Sequence, residues 1–107
     1  LLAEPGNLGV LTQAAWTLAT SPNAAVRDAA EAVALAERAA RLTGGGEPQV
    51  LDVQAAALAR AGRFPEAVRV AERALALARE RGDARLAVAV DERLALYRAG
   101  SPYREPR

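Results

Sequence analysis

The eleven residues Ala32-Val33-Ala34-Leu35-Ala36-Glu37-Arg38-Ala39-Ala40-Arg41-Leu42 return 35 positions later as Ala67-Val68-Arg69-Val70-Ala71-Glu72-Arg73-Ala74-Leu75-Ala76-Leu77, with seven of the eleven positions identical. In the second copy Ala67, Val68, Ala71, Leu75 and Ala78 fall on one side of a helix, and Val70, Ala74 and Leu77 fall on an adjoining side. Glu66, Arg69, Glu72, Arg73, Arg79 and Glu80 mark the remaining, charged face. A helix docked on one neighbour needs one apolar seam. Two adjoining seams put it in the angle between two neighbours. A spacing near 34 residues is the period of helix-turn-helix stacks, in which each unit covers the apolar face of the unit before it.

Working outward, glycine and proline divide the chain at helix-length intervals: Pro5-Gly6, Ser21-Pro22-Asn23, Gly44-Gly45-Gly46 with Pro48, Gly62 with Pro65, Gly82-Asp83 and Gly100-Ser101-Pro102. The segments between them are rich in Ala, Leu, Arg and Glu, the strong helix formers, and show little alternation of period two. Five helices are predicted, near 7–20, 26–43, 48–61, 65–81 and 84–99. Asn7 and Asp83 suit N-caps, Pro48 and Pro65 suit first turns, and Gly44, Gly62, Gly82 and Gly100 suit left-handed helix ends. Alanines at 55, 56, 57, 59 and 61 let the third helix approach its neighbours closely. The predicted fold is therefore all-α. It is a helical-repeat solenoid of about five antiparallel helices, with one repeat over about 7–43, a second over about 48–81, a capping helix near 84–99 and a tail at 100–107.

Composition sets limits on function. The chain has 107 residues, enough for one domain, of which 51% are hydrophobic, 25% charged and 4% aromatic. Lysine, histidine, cysteine and methionine are absent, and all 14 basic residues are arginine. Thiolate, imidazole and disulfide chemistry are excluded, and no metal site, cofactor or catalytic residue is expected. Asp91 and Glu92 point about 100° apart on a helix and make no acid–base pair. Gly44-Gly45-Gly46 follows a helix without a neighbouring Lys-Ser or Lys-Thr, so it reads as a linker and not a phosphate loop. The net charge of +1 is scattered, unlike the gathered basic face of a nucleic-acid binder. No apolar run approaches the roughly 20 residues of a membrane span. The opening Leu1-Leu2-Ala3-Glu4-Pro5-Gly6 does not read as a signal peptide and carries no initiator methionine, so the chain is expected to be cut from a longer protein. Its compartment is left open, leaning to the cytoplasm, since nothing requires an oxidising one.

The stretch from Pro48 to about Arg81 resembles the tetratricopeptide-repeat family. Leu58, Gly62, Phe64, Ala67, Ala71 and Ala74 sit where that family places its large residue, turn glycine, aromatic and small second-helix residues. The turn Ala61-Gly62-Arg63-Phe64-Pro65-Glu66-Ala67-Val68 carries most of the resemblance. Arg79 replaces the usual helix-ending proline, and the segment from Ala19 to Asp28 is about five residues longer than the matching turn and lacks a turn glycine. Ala15-Trp16-Thr17-Leu18-Ala19-Thr20-Ser21-Pro22, Arg27-Asp28, Ala32-Val33 through Leu42-Thr43, and Leu96-Tyr97-Arg98-Ala99-Gly100-Ser101-Pro102-Tyr103-Arg104-Glu105 resemble a C-terminal repeat block of multi-repeat bacterial proteins. In such proteins the block follows further repeats and sometimes a membrane glycosyltransferase.

The resemblance implies a scaffold whose concave face holds an extended or helical ligand, and it puts Trp16 on that face. Trp16 is then either an aromatic anchor or a core residue contacting a preceding repeat. Gln49, Asp52 and Arg60 are the candidate polar residues of the groove. Asp52 would accept backbone amides and Arg60 would grip a carboxylate bidentately, unless both are simply solvated charges on a helix face. Glu37 with Arg41, and Glu66 with Arg69, stand at spacings for weak ion pairs. Tyr97 and Tyr103 are expected to fold back over the end of the last helix pair, where Leu86, Val90, Leu94 and Tyr97 form an apolar seam; the tail would otherwise be an exposed ligand. The expected function is a non-catalytic protein–protein interaction module taking a peptide or helix through Trp16, Gln49, Asp52 and Arg60. The alternative is a structural C-terminal cap of a longer repeat protein attached to an enzyme such as a glycosyltransferase. Self-association through an N-terminal face bearing Leu8, Val10, Leu11 and Trp16 is a third expectation.

Overall fold

In a computed structural model of the chain, which describes residues 7–21 and 26–103, five helices run in order: α1 (Leu8–Thr20), α2 (Val26–Leu42), α3 (Pro48–Arg60), α4 (Phe64–Glu80) and α5 (Ala84–Arg98). No strand occurs among the described residues. Each helix lies against the next, and α3 also touches α1 and α5. Short connections between touching neighbours make the successive helices antiparallel, as an all-α helical-repeat fold requires.

The helix ends follow from local chemistry. The Asn7 side chain accepts from the Val10 amide at 3.0 Å, and the Asp83 side chain accepts from the Leu86 amide at 3.1 Å. Pro48 and Pro65 occupy the first turns of α3 and α4, where the missing amide costs nothing. At the end of α3, Gly62 takes φ +80, so that its amide donates to the Ala59 carbonyl at 3.0 Å and the Arg63 amide to the Leu58 carbonyl at 2.9 Å. Those two bonds close the helix and turn the chain into α4. Glu66 pairs with Arg63 across this turn at 2.8 Å, rather than with Arg69 as the spacing suggested. Arg63 reaches both carboxylate oxygens from just ahead of α4, a two-point contact.

The core is made largely of alanine. Ala15, Ala19, Ala32, Ala36, Ala55, Ala56, Ala57, Ala67, Ala71, Ala74 and Ala78 are all buried, so the helix backbones approach closely at these positions. The predicted position of α4 holds: its Ala67, Ala71, Ala74, Leu75 and Ala78 are buried, with α3 on one side and α5 on the other. Helix α3 lies at the centre of the stack. Of its 13 residues all but Gln49, Gln54 and Arg60 are buried, and the buried ones include Asp52. Helix α5 buries Val90, Leu94 and Tyr97 against α3 and α4. Tyr97, only 1% exposed, is thus a core residue, where it was expected to fold over an exposed end.

Of the residues expected on a bare N-terminal face, Leu8 and Val10 are exposed, Leu11 is buried and Trp16 is half-buried against the core. The longer turn expected between α1 and α2 lies partly outside the described residues, as does the end of the tail.

Candidate functional site

Helices α1 and α5 both pack on α3 while their backbones stay apart, which leaves a cleft over α3 that only side chains bridge. The cleft is a groove of about 450 Å³. One face of each helix lines it at helical spacing: Thr12, Gln13 and Trp16 from α1; Gln49, Asp52 and Val53 from α3; Leu86, Ala89 and Arg93 from α5. Asp83 and Arg85 complete it at the start of α5.

An aromatic and charged cluster closes one end. The Asp52 Oδ2 atom accepts from the Arg93 Nη1 group, joining α3 to α5 across 41 residues of sequence. Both partners are withdrawn from water, with side chains 6% and 16% exposed. The Arg93 guanidinium carbon lies 4.8 Å from the centroid of the Trp16 ring and 4.8 Å from that of Tyr103. The two rings are themselves 5.8 Å apart and tilted by 36°. Arg93 therefore serves as a hub, neutralising Asp52 through its edge while its charge faces two aromatic rings. The Tyr97 hydroxyl is buried beneath this cluster, as is the second Asp52 oxygen.

Burial and charge act against each other here. Burial is the largest influence on Asp52 and raises its pKa above the ordinary carboxylate value, although Arg93 opposes the shift by charge and by hydrogen bonding. For Arg93, burial works to lower the pKa. The Asp52 charge and the hydrogen bonds that Arg93 donates to Asp52 and to the Tyr103 hydroxyl outweigh it and raise the pKa. Tyr97 is pushed far up, mainly by burial and then by the nearby Asp52 charge, so it stays a neutral phenol. Arg93 thus keeps its charge and Tyr97 its proton, while burial draws Asp52 toward its neutral form.

Three of the four residues singled out from the sequence, Trp16, Gln49 and Asp52, come together in this groove. Arg60 does not line it. It is half-buried at the last residue of α3, two turns beyond Asp52. The expected role of Asp52 as a solvated charge or an open acceptor of backbone amides is also corrected, because the carboxylate is 4% exposed and held by Arg93. The reason is the central position of α3, which surrounds this face with other helices and makes an internal counter-ion necessary. Trp16 is neither a bare anchor nor a fully buried core residue, since Arg93 and Tyr103 share its ring surface. Gln49 is exposed at the groove wall as expected. Arg93 and Tyr103 were the residues missed as site members. The available signal was weak: Arg93 follows Leu86 by seven residues and Ala89 by four, which puts a charge on the apolar inner side of α5.

Among the described residues no three His, Cys, Asp or Glu side chains gather to hold a metal, and no helix is long and apolar enough to cross a membrane. No family model, curated protein or solved structure matches the chain.

Proposed function

We propose that this chain is a tetratricopeptide-like protein–protein interaction module without chemistry of its own, a scaffold from a bacterial multi-repeat protein that holds an extended peptide in the groove between α1, α3 and α5. The observation that carries this reading is the convergence of three helices on one groove of about 450 Å³ with a mixed lining. Its aromatic end, formed by Trp16, supplies apolar area to anchor a side chain. Its other wall, formed by Thr12, Gln13 and Gln49, supplies hydroxyl and amide groups that both donate and accept, as the backbone of an extended ligand requires. The groove carries little unpaired charge at its aromatic end, because Asp52 and Arg93 neutralise each other there.

The test is a display library of short peptides screened against the chain and against its Gln49→Arg variant, which fills the groove from an exposed position. Peptides retained by the unaltered chain and lost by the variant support the reading. Absence of any binder at millimolar peptide, or binders indifferent to the variant, would remove it.

A second reading, a terminal cap for a longer repeat protein, draws on a different observation: Tyr103 and Arg93 cover the ring of Trp16 from the C-terminal side. Under that reading the groove is closed for stability, and the parent protein loses folding but no partner when the block is deleted.

A further inference from the structure

We infer that Trp16 and Arg93 form a receptor for a tyrosine ring carried on an extended segment, and that the chain's own Ser101-Pro102-Tyr103 occupies it in cis. The inference rests on the reading of the groove as a peptide site and names the chemistry that site takes. It starts from the end of α5. Gly100 adopts φ +76, and the Ser101 amide donates to the Leu96 carbonyl at 2.9 Å, which turns the chain back off the helix axis. Ser101 to Tyr103 then run without helical structure, and Tyr103 comes to rest half-buried against Trp16 on α1. Proline at 102 restricts the backbone before Tyr103 and lowers the entropy lost on docking.

The receptor does not depend on the tail for its shape. Asp52 holds Arg93 from the α3 side, and Trp16 packs against the core, so the guanidinium and the indole are already set side by side. A tyrosine matches both halves: its ring offers a π face to the guanidinium and a tilted contact to the indole, while its hydroxyl gives Arg93 an acceptor. The groove continues past this end along Gln13 and Gln49, whose amide groups offer further backbone contacts to a longer segment with the same aromatic residue. The tail holds its place through proximity, since a short tether gives it an effective concentration of the order of millimolar. A partner displaces it by adding those further contacts.

Trp16 is the sole tryptophan, so its emission reports this one place. The experiment uses the full chain and its Tyr103→Ala variant, with a synthetic peptide copying residues 99–107 and the same peptide with alanine in place of the tyrosine. The variant is expected to show red-shifted emission with unchanged far-ultraviolet circular dichroism. The tyrosine peptide should reverse the shift, and a fluorescently labelled copy followed by anisotropy should half-saturate the variant at about a tenfold lower concentration than the unaltered chain, where it competes with the tail. The alanine peptide should do nothing. Arg93→Lys, which keeps the charge but not the planar face, should weaken the response to the tyrosine peptide. Emission unaltered in Tyr103→Ala, equal titration of both chains, or equal effect of both peptides each overturns the proposal. So does a dimer for the unaltered chain that becomes a monomer in Tyr103→Ala, because the tail would then be seated on a second copy. If library peptides bind through Gln49 while these titrations stay flat, this inference falls and the reading of the groove stands.

Discussion

Removing Arg93 should cost more stability than removing Asp52, although the two side chains belong to one ion pair. Arg93→Ala leaves the Asp52 carboxylate, 6% exposed in the centre of the stack, without a counter-ion. Breaking a buried pair in this way costs about 3–5 kcal/mol. The loss of two cation–π contacts at 4.8 Å adds about 0.5–1 kcal/mol each at a partly exposed site. Together these contributions put the cost at about 4–7 kcal/mol before any proton uptake by Asp52, which lowers it. Asp52→Ala leaves the longer partner, 16% exposed, with its guanidinium still against the two rings and able to reach water, so about 1–2 kcal/mol is expected.

The pH dependence follows from the same geometry. The folded-state pKa of Asp52 is already raised by burial, and loss of Arg93 raises it further. A carboxyl with a raised folded pKa contributes stability that is full below its unfolded value and is lost as pH rises through the folded value. The cost of Arg93→Ala is therefore smaller in acid than at neutral pH. Urea unfolding followed by circular dichroism at pH 4 and pH 7 measures both effects, and Arg93→Met separates lost packing from lost charge. If Asp52→Ala costs more than Arg93→Ala, or the cost of Arg93→Ala is the same at both pH values, the account of this pair is wrong.

Further outcomes follow from other parts of the fold. Asp52→Asn removes the titrating group, so its stability relative to the unaltered chain should improve as pH rises through the carboxylate range; a decline in denaturation experiments would mean that Arg93, not burial, dominates Asp52. Gly62→Ala meets no atom within 4 Å but must hold φ +80, so it should lose about 1–2 kcal/mol, from backbone strain alone. Gly46→Ala is equally unobstructed and carries no positive φ, so it should gain about 0.4–1 kcal/mol, and thermal melts of the two glycine variants check both signs. Leu94→Ala empties a site 1% exposed between α5 and the core and should cost about 2–5 kcal/mol, read from the shift in urea midpoint.

Local order was legible in the sequence because its causes are local. The helix at Phe64–Glu80 follows from two adjoining apolar seams, and its limits from Gly62 and Gly82, whose positive φ values are 80 and 72. Asn7 and Asp83 cap their helices through residues three positions away, a distance at which sequence and space coincide. The return of Ala-Glu-Arg-Ala after 35 residues carried the stacking, since a helix with two seams has to find two neighbours. The resemblance to repeat proteins put Trp16, Gln49, Asp52 and Arg60 on one groove; the first three line it in the structure, and Arg60 does not.

What the tertiary structure alone decided is which groups meet across that groove. Of the 14 arginines it is Arg93 that neutralises Asp52, and its place on the inner side of α5 does not single it out as the partner until α5 is set against α3. The contact of Tyr103 with Trp16 joins residues near opposite ends of the chain, and it depends on the angle at which Gly100 releases the tail. Helices and caps depend on spacings of three to five residues, which the chain carries wherever it folds. Ion pairs and ring contacts depend on the relative placement of whole helices, and that placement is the outcome of close packing along the alanine faces.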